Sequence, residues 1–249
     1  MTRPSSDQPD SDGASDRASP SPPSAERSPR WLRRRVVWCP TWRTCLLISV
    51  VLLFAAWGAA SSLHPFLARS ERASANLLVV EGWVREDDLG EVLKEFRSGS
   101  YERLCVTGSP LTRGGRFLSF ETHAELTAAC LLEEGADRSE LLVAPGPDVQ
   151  RHRTFAALAA LKAKLEEEGV EVRGLNVYTS GIHARRTQLV CEKLFGPDVA
   201  IGVFSLTPVS YDPGRWWATS AGLKGVLMET IAYAYEWLAD GGRPGNAFE

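Results

Sequence analysis

The chain has 249 residues, of which 44% are hydrophobic and 24% charged, a composition typical of a globular protein. Its charge is unevenly distributed: residues 1–69 carry nine basic and five acidic side chains, whereas residues 70–249 carry 19 and 26. The acidic second part argues against a nucleic-acid partner, because a phosphate backbone requires a basic face.

Residues 1–29 are rich in Ser, Pro, Asp and Arg and almost lack large apolar side chains. Burial could not offset the entropy lost on ordering them, so we predict a disordered cytoplasmic tail. An Arg-rich juxtamembrane segment follows at 30–43. At the other end of the chain, residues 240–249 are predicted to be a flexible tail.

Residues 44–68 contain no Asp, Glu, Lys or Arg and are predicted to form a transmembrane helix. At about 1.5 Å per residue the stretch can cross a hydrocarbon core about 30 Å thick. Six arginines precede it with no acid among them, and few charges follow it closely. The positive-inside rule therefore predicts a single-pass protein of the plasma (inner) membrane, with a cytoplasmic N-terminus, an extracytoplasmic domain and the lipid bilayer as a partner.

A cleavable export signal is the alternative to this anchor. Ala73-Ser74-Ala75 ends in a small-x-small pattern, and Arg33 to Arg35 faintly resemble a twin-arginine signal. The apolar run is longer than the h-region of about 7 to 15 residues that is typical of signals, which favours a retained anchor. Both alternatives export the domain.

Five cysteines are present, and three of them fall within the exported domain: Cys105, Cys130 and Cys191. They occupy a predicted strand and two predicted helices among apolar neighbours. This odd number favours small buried hydrophobic residues over a disulfide framework, with one bridge among the three as the alternative.

From Asn76 onward, short apolar runs alternate with amphipathic stretches that end in glycine. This alternation predicts parallel strands joined by crossover helices. We predict strands at 76–80, 103–107, 141–144, 172–178 and 201–204, and helices at about 88–99, 122–135, 153–168, 183–195 and 220–239. The predicted fold class is α/β, a Rossmann-like three-layer sandwich over residues 76–239 with a mostly parallel five-stranded sheet.

Two of the predicted helices begin with capping signals, Asp88 followed by Glu91 and Thr122 followed by Glu125. The last predicted helix carries an apolar stripe at helical spacing, which predicts that this face packs on the sheet. The stripe consists of Leu223, Leu227, Ile231 and Tyr235.

Ligands of an open parallel sheet bind beyond the carboxyl ends of its strands, where loops and helix N-termini converge. The residues expected there are rich in Arg and hydroxyls, which suit carboxylate or phosphate groups. The predicted ligand-binding residues are Thr107, Gly108, Arg153, Thr154, Thr179, Ser180 and Arg186. We therefore predict an anionic small-molecule or lipid-linked substrate; the alternative for each arginine is a solvated or ion-paired side chain. No cofactor can be named from the sequence.

His183 is the predicted general acid or base, because imidazole titrates near neutrality and Glu81 at the end of the first strand could orient it. A structural or helix-capping histidine is the alternative. His123, His152 and His183 each begin a predicted helix and could meet at a metal, but their wide spacing is a weak signal and we predict no metal site.

Trp216 and Trp217 follow a Tyr-Asp-Pro-Gly-Arg segment near the presumed crevice. They could stack on a ligand or touch the membrane surface. Tryptophans in such a place more often cover the edge of the sheet.

Several of these segments together resemble the DUF218 domain of the ElyC/SanA/YdcF family. The similar parts are Leu78-Val79-Val80-Glu81-Gly82-Trp83, Val106-Thr107-Gly108, Arg153-Thr154, Tyr178-Thr179-Ser180 with His183 and Arg186, and a Trp-Trp segment before a terminal helix that contains Glu229. The resemblance covers about residues 76–237. It implies a Rossmann-like domain that is frequently tethered by one N-terminal helix.

The resemblance also implies an association with envelope biogenesis and with polysaccharide or peptidoglycan-precursor metabolism. His183, Arg186, Arg153 and Thr154 match the family pattern best. The chain departs from the family pattern at His123, at 156–158 and at 81–83.

Two hypotheses follow. In the first, the protein is a membrane-anchored envelope-biogenesis protein that acts as a hydrolase or transferase on a phosphorylated glycan or lipid-linked cell-wall precursor. In the alternative, the domain is a non-catalytic binding or scaffold module for an anionic envelope ligand or a partner protein.

Overall fold

The computed structural model describes residues 39–111 and 119–239. Both predicted tails, most of the Arg-rich segment and residues 112–118 of the loop after the second strand lie outside the described residues. By its contacts the chain divides into two units, residues 1–48 and residues 49–249, and the second unit holds the whole α/β domain.

The N-terminal helix α1, Trp42–Leu67, has 26 residues. Its side chains are exposed as far as Ala59, a length of about 27 Å at 1.5 Å per residue. Within the described part of the chain it is the one helix that is long and apolar enough to cross a membrane. The predicted apolar helix is therefore confirmed.

Five parallel strands form one sheet in the order β3-β2-β1-β4-β5. The strands are β1 Leu77–Glu81, β2 Arg103–Gly108, β3 Leu141–Pro145, β4 Gly174–Ser180 and β5 Ala200–Leu206. The α/β fold class is confirmed. Since the strand order reverses between β1 and β4, a crevice is expected at the carboxyl ends of these two strands.

Five helices cover or flank the sheet: α2 Leu89–Ser98, α3 His123–Glu133, α4 Arg153–Glu167, α5 Ala184–Phe195 and α6 Ser220–Leu238. Buried side chains of α2 and α3 belong to one core cluster, and those of α4 and α5 to a second. Along β1, Leu78 and Val80 enter the first cluster while Leu77 and Val79 enter the second. Strands buried on both faces explain the continuous apolar runs of the sequence.

One of the two predicted caps is present. Thr122 and Glu125 form a capping box at the start of α3, as predicted. The cap predicted at Asp88 is wrong, because both of its carboxylate oxygens accept hydrogen bonds from Arg85, at 2.8 and 2.9 Å.

The packing predicted for α6 is wrong in its choice of face. The apolar stripe from Leu223 to Tyr235 is exposed, whereas Gly222, Val226, Glu229 and Glu236 are buried. The two glutamates form ion pairs with α5 and so occupy the inner face of the helix.

The segment between α1 and β1 is part of the domain. Glu71 pairs with Val203 in an isolated antiparallel bridge, with both backbone hydrogen bonds at 2.8 Å. Asn176 accepts a hydrogen bond from the Ala73 backbone N–H at 2.9 Å, and Ser70 Oγ accepts one from Ser205 N–H at 2.8 Å. Cleavage after residue 75 would remove all of these contacts.

The five cysteines, all within the described residues, are free. Cys105 and Cys191 are buried in the core. Burial raises the pKa of the Cys105 thiol to about 12, so this side chain is an unreactive apolar group at neutral pH.

Candidate functional site

Two glycines allow α3 to begin directly above the ends of β1 and β2. A Cβ at Gly82 would lie 2.8 Å from His123, and a Cβ at Gly108 would lie 2.9 Å from the Ala124 backbone nitrogen. Any side chain at either position would push the helix away from the sheet. The two glycines therefore determine how close His123 lies to the strand ends.

A cavity of about 270 Å³ lies beyond the carboxyl ends of the central strands. It is lined by Trp83, Ser109, His123, Arg153, Thr154, His183 and Arg186. A neighbouring cavity of about 440 Å³ shares Arg153, Thr154 and Arg186 and reaches Tyr235 and Glu236 of α6. The crevice expected from the strand order is therefore present, and its lining is mostly cationic and polar.

Four of the predicted site residues line the smaller cavity, namely His183, Arg153, Thr154 and Arg186. The other five lie outside its lining. Thr107 is buried and donates its hydroxyl hydrogen to the Ala157 carbonyl at 2.7 Å, while Thr179 is buried and donates to Glu81. Gly108, Ser180 and Glu81 do not line either cavity.

The centre of the site is an imidazole and a guanidinium that share one carboxylate. His183 Nδ1 lies 2.7 Å from Glu229 Oε2, and Arg186 Nε donates to Glu229 Oε1 at 2.5 Å. Arg186 Nη2 donates to Glu229 Oε2 at 3.2 Å, and Nη1 donates to Thr154 Oγ1 at 2.9 Å. The two bonds from Arg186 Nε and Nη2 to the Glu229 carboxylate form the planar pairing that guanidinium and carboxylate groups favour.

The contact with Glu229 selects the tautomer of His183. A carboxylate can only accept, so at 2.7 Å Nδ1 must carry the proton, and the nearby Arg186 Nη2 cannot also donate to it. The lone pair of the neutral ring is then on Nε2. Because His183 lines the cavity, its neutral ring can accept a proton from a group that is bound there.

The charges of this group reinforce one another. Burial opposes ionisation of Glu229, but the hydrogen bonds from His183 and Arg186 outweigh it and lower the pKa of the carboxyl group. Burial likewise disfavours the charged form of Arg186, and the bonds to Glu229 outweigh it and raise the pKa of the guanidinium. Both groups therefore remain ionised around neutral pH.

Glu81 does not orient His183 as predicted. Its side chain is fully buried and accepts hydrogen bonds from Thr179, from Thr187 at 3.2 Å and from the Trp83 indole at 3.0 Å. Burial raises the pKa of Glu81, although the hydroxyls of Thr179 and Thr187 and the nearby charge of Arg186 oppose the shift. Glu81 supports the floor of the site through Trp83.

Glu229 is the functional candidate that sequence reasoning missed. Its sequence signals were its place in the terminal helix of the family resemblance and its position as an acid on a mostly apolar helix. A buried acid on such a helix indicates a cationic partner inside the protein.

The three histidines do not meet at one point. His123 lines the cavity, where burial and the nearby Arg153 charge lower the pKa of its ring. His152 has a left-handed backbone conformation at the start of α4 and lies with its Nδ1 3.8 Å from Glu236. Among the described residues, no three His, Cys, Asp or Glu side chains are arranged to hold a metal ion.

Arg185 and Trp216 face α1 instead of the cavity. Arg185 lies over the Phe66 ring, 4.4 Å from its centre, so it diverges from Arg186 as adjacent helical residues must. Trp216 is buried and donates its indole hydrogen to the Ala60 carbonyl at 3.1 Å.

No protein-family model matches the chain, and no curated protein matches it either. The assignment to the DUF218 family therefore stays a prediction from the motifs quoted above.

Proposed function

We propose that the protein is a membrane-anchored envelope-biogenesis enzyme whose extracytoplasmic domain acts on a phosphorylated glycan or a lipid-linked cell-wall precursor. The observation that carries the proposal is the pairing of His183 with the buried Glu229 at the wall of a cavity that also contains Arg153 and Arg186. A histidine held by a carboxylate is a common general base, and arginines suit a phosphoryl group.

In this proposal Arg153 is the main anion-binding side chain. It is exposed and lines both cavities, whereas three of the N–H groups of Arg186 already donate to Glu229 and Thr154. The start of α4 adds unpaired backbone amides, because His152 makes no side-chain cap there. His183 Nε2 takes the proton of the attacking hydroxyl while its oxygen bonds to phosphorus and the bond from phosphorus to the leaving oxygen breaks. The imidazolium of His183 then gives that proton to the leaving oxygen.

The contacts of residues 67–75 support a retained anchor. Leu67 is fully buried in a cluster with Trp216, and Glu71 and Ala73 are hydrogen-bonded to the domain. Loss of residues 1–75 would expose this cluster and the outer edge of β5. The cytoplasmic N-terminus and the plasma (inner) membrane belong to the proposal and are supported by the charge asymmetry around α1.

The test uses the full chain in lipid nanodiscs with a set of phosphorylated glycans and polyprenyl-linked precursors, and it measures released product. His183→Asn should lower kcat by at least about a hundredfold, the usual contribution of a general base. Arg153→Gln should mainly raise KM. Arg185→Gln is the matched control, since this arginine faces Phe66 and should leave both constants unchanged.

A binding module is the second candidate, and one observation favours it. Arg186, Glu229, His183 and Thr154 satisfy one another in a closed network, which is also what a purely structural ion pair looks like. Saturable binding of a phosphorylated ligand without turnover by the wild type, lost in Arg153→Gln, would favour this candidate. Turnover that His183→Asn leaves intact would overturn the role of His183 as general base, and the absence of turnover by the wild type would overturn the enzymatic proposal.

A further inference from the structure

The outer face of α6 is apolar over its whole length and uncovered by any described element. The exposed large apolar side chains of the helix are Leu223, Leu227, Met228, Ile231, Tyr235, Trp237 and Leu238, with exposed fractions from 43% to 73%. All of α6 is described, and its two acids are buried, so Lys224 is the one charged residue on the outer face. A surface of this kind indicates an interaction site.

The path of the chain shows which edge of the domain lies nearest α1. The linker runs antiparallel to β5, since Ser70 contacts Ser205, then Glu71 pairs with Val203, and Gly174 next to the start of β5 closely approaches Ser74. The chain therefore leaves α1 at the carboxyl end of β5. The carboxyl edge of the sheet is thus the edge that faces the apolar helix.

Further contacts join α1 to the same edge. Only the last two turns of α1 pack on the domain, with Ala60, Leu63 and Leu67 in a cluster that includes Trp216 and Val226. Phe66 contacts Tyr233 of α6 edge to face, with ring centres 5.5 Å apart. The linker is also hydrogen-bonded to the sheet, so both the end of α1 and the linker are attached to the domain.

The course of α6 brings its middle to this edge. Glu229 contacts the start of α5 through Arg186, and Glu236 approaches His152 at the start of α4. The middle of α6 therefore lies at the carboxyl edge of the sheet, where α4 and α5 begin, while Glu236 also reaches Lys193 in the last turn of α5.

We propose that the outer face of α6 lies on the surface of the bilayer that α1 crosses, so that the cavity opens towards the lipid headgroups. Three observations favour lipid over a protein partner. Tyr233 of α6 contacts Phe66 of α1, the exposed Trp217 packs on Trp216, whose indole is bonded to Ala60 of α1, and the exposed basic side chains of Arg215 and Lys224 lie near the apolar residues in sequence. Interfacial helices combine aromatic, aliphatic and basic residues in this way. The inference goes beyond the proposed function, because it requires no reaction.

The test measures depth in the membrane with the full chain in nanodiscs of phosphatidylcholine and phosphatidylglycerol. Cys39→Ser and Cys45→Ser remove the exposed native thiols, and the parent without a new cysteine corrects for labelling of Cys130. An environment-sensitive fluorophore is then attached through Ile231→Cys or Met228→Cys. The matched control is Glu166→Cys on α4, where the side chain is 68% exposed.

Labels at 231 and 228 should lie about 5–10 Å into the interface and be quenched several-fold more by nitroxide lipids than the label at 166. Equal, weak quenching at all three positions would overturn the proposal. So would labels at 231 and 228 that are shielded both from nitroxide lipids and from aqueous iodide, since a second copy of the chain would then cover the face. These readouts use no substrate, so they stand whether or not turnover is found.

Discussion

Two glutamates lie beside the candidate site with almost equal burial, but the protein holds them in different ways. Glu81 is 0% exposed and accepts hydrogen bonds from neutral donors, the Thr179 and Thr187 hydroxyls and an indole. Glu229 is 4% exposed and is bound by a guanidinium. The pKa rises at Glu81, where burial outweighs the bonds from neutral donors, and falls at Glu229, where the bonds from His183 and Arg186 outweigh burial.

The largest effect should come from the same Glu-to-Gln substitution at the two positions. In Glu229→Gln the amide would place a donor against the donors of Arg186 or His183 and leave the guanidinium buried without its counter-charge. We expect a loss of about 3 kcal/mol, the lower end for removal of one member of a buried ion pair. Glu81→Gln should cost only about 1 kcal/mol, because the Thr187 hydroxyl can turn and accept from the new amide.

Both losses can be measured as shifts of thermal unfolding for the full chain in detergent micelles. Glu166→Gln on the exposed face of α4 serves as the control and should change the stability by less than about 0.5 kcal/mol. Equal losses at positions 81 and 229 would show that burial matters here and that the cationic partner does not.

How far the sequence could predict these features differs between the sheet and the site. The strands and the helix starts follow from local periodicity and glycine positions, and the capping box at Thr122 was visible for the same reason. The partnership of His183 with Glu229 joins residues 46 positions apart and depends on how α6 crosses α5. No local pattern contains that crossing.

The misplaced face of α6 has a related cause. Hydrophobic periodicity identifies an apolar face but does not say what covers it. A helix that packs on a membrane surface and one that packs on the face of a sheet would both show the stripe at Leu227 and Ile231. The buried acids were the more informative residues. Glu229 and Glu236 required cations within the protein, and those cations belong to α5.

The next effect is the pH dependence of stability, which should have opposite signs at the two glutamates. The pKa of Glu229 is lowered below 4.5, so its contribution is fully present above pH 4.5 and is lost as the pH falls through the folded-state pKa. The pKa of Glu81 is raised above 4.5, so the carboxyl group is neutral at low pH and its ionisation then has no effect on stability. As the pH rises from 4.5 through the folded-state pKa, ionisation of the buried group destabilises the protein progressively.

Thermal unfolding of the wild type and both Gln variants across this pH range would measure the two slopes. Relative to the wild type, Glu229→Gln should appear less damaging as the solution is acidified. Glu81→Gln should appear less damaging, or become stabilising, as the pH rises. Parallel curves for all three proteins would contradict the assigned pKa directions.

The smallest effect should come from removing one neutral donor from Glu81. Thr187→Val keeps the shape of the side chain, so no cavity forms, and it removes the hydroxyl that lies 3.2 Å from Oε1. We expect a loss of about 1 kcal/mol that grows as the pH rises through the raised pKa of Glu81, because a hydrogen bond to an ionised acceptor is the stronger one. Thr127→Val is the matched control, since Thr127 is also buried but donates to the Gly82 carbonyl, which does not titrate. The loss of stability in Thr127→Val should stay constant with pH. If the loss in Thr187→Val were constant as well, Glu81 would not change its charge over the range measured.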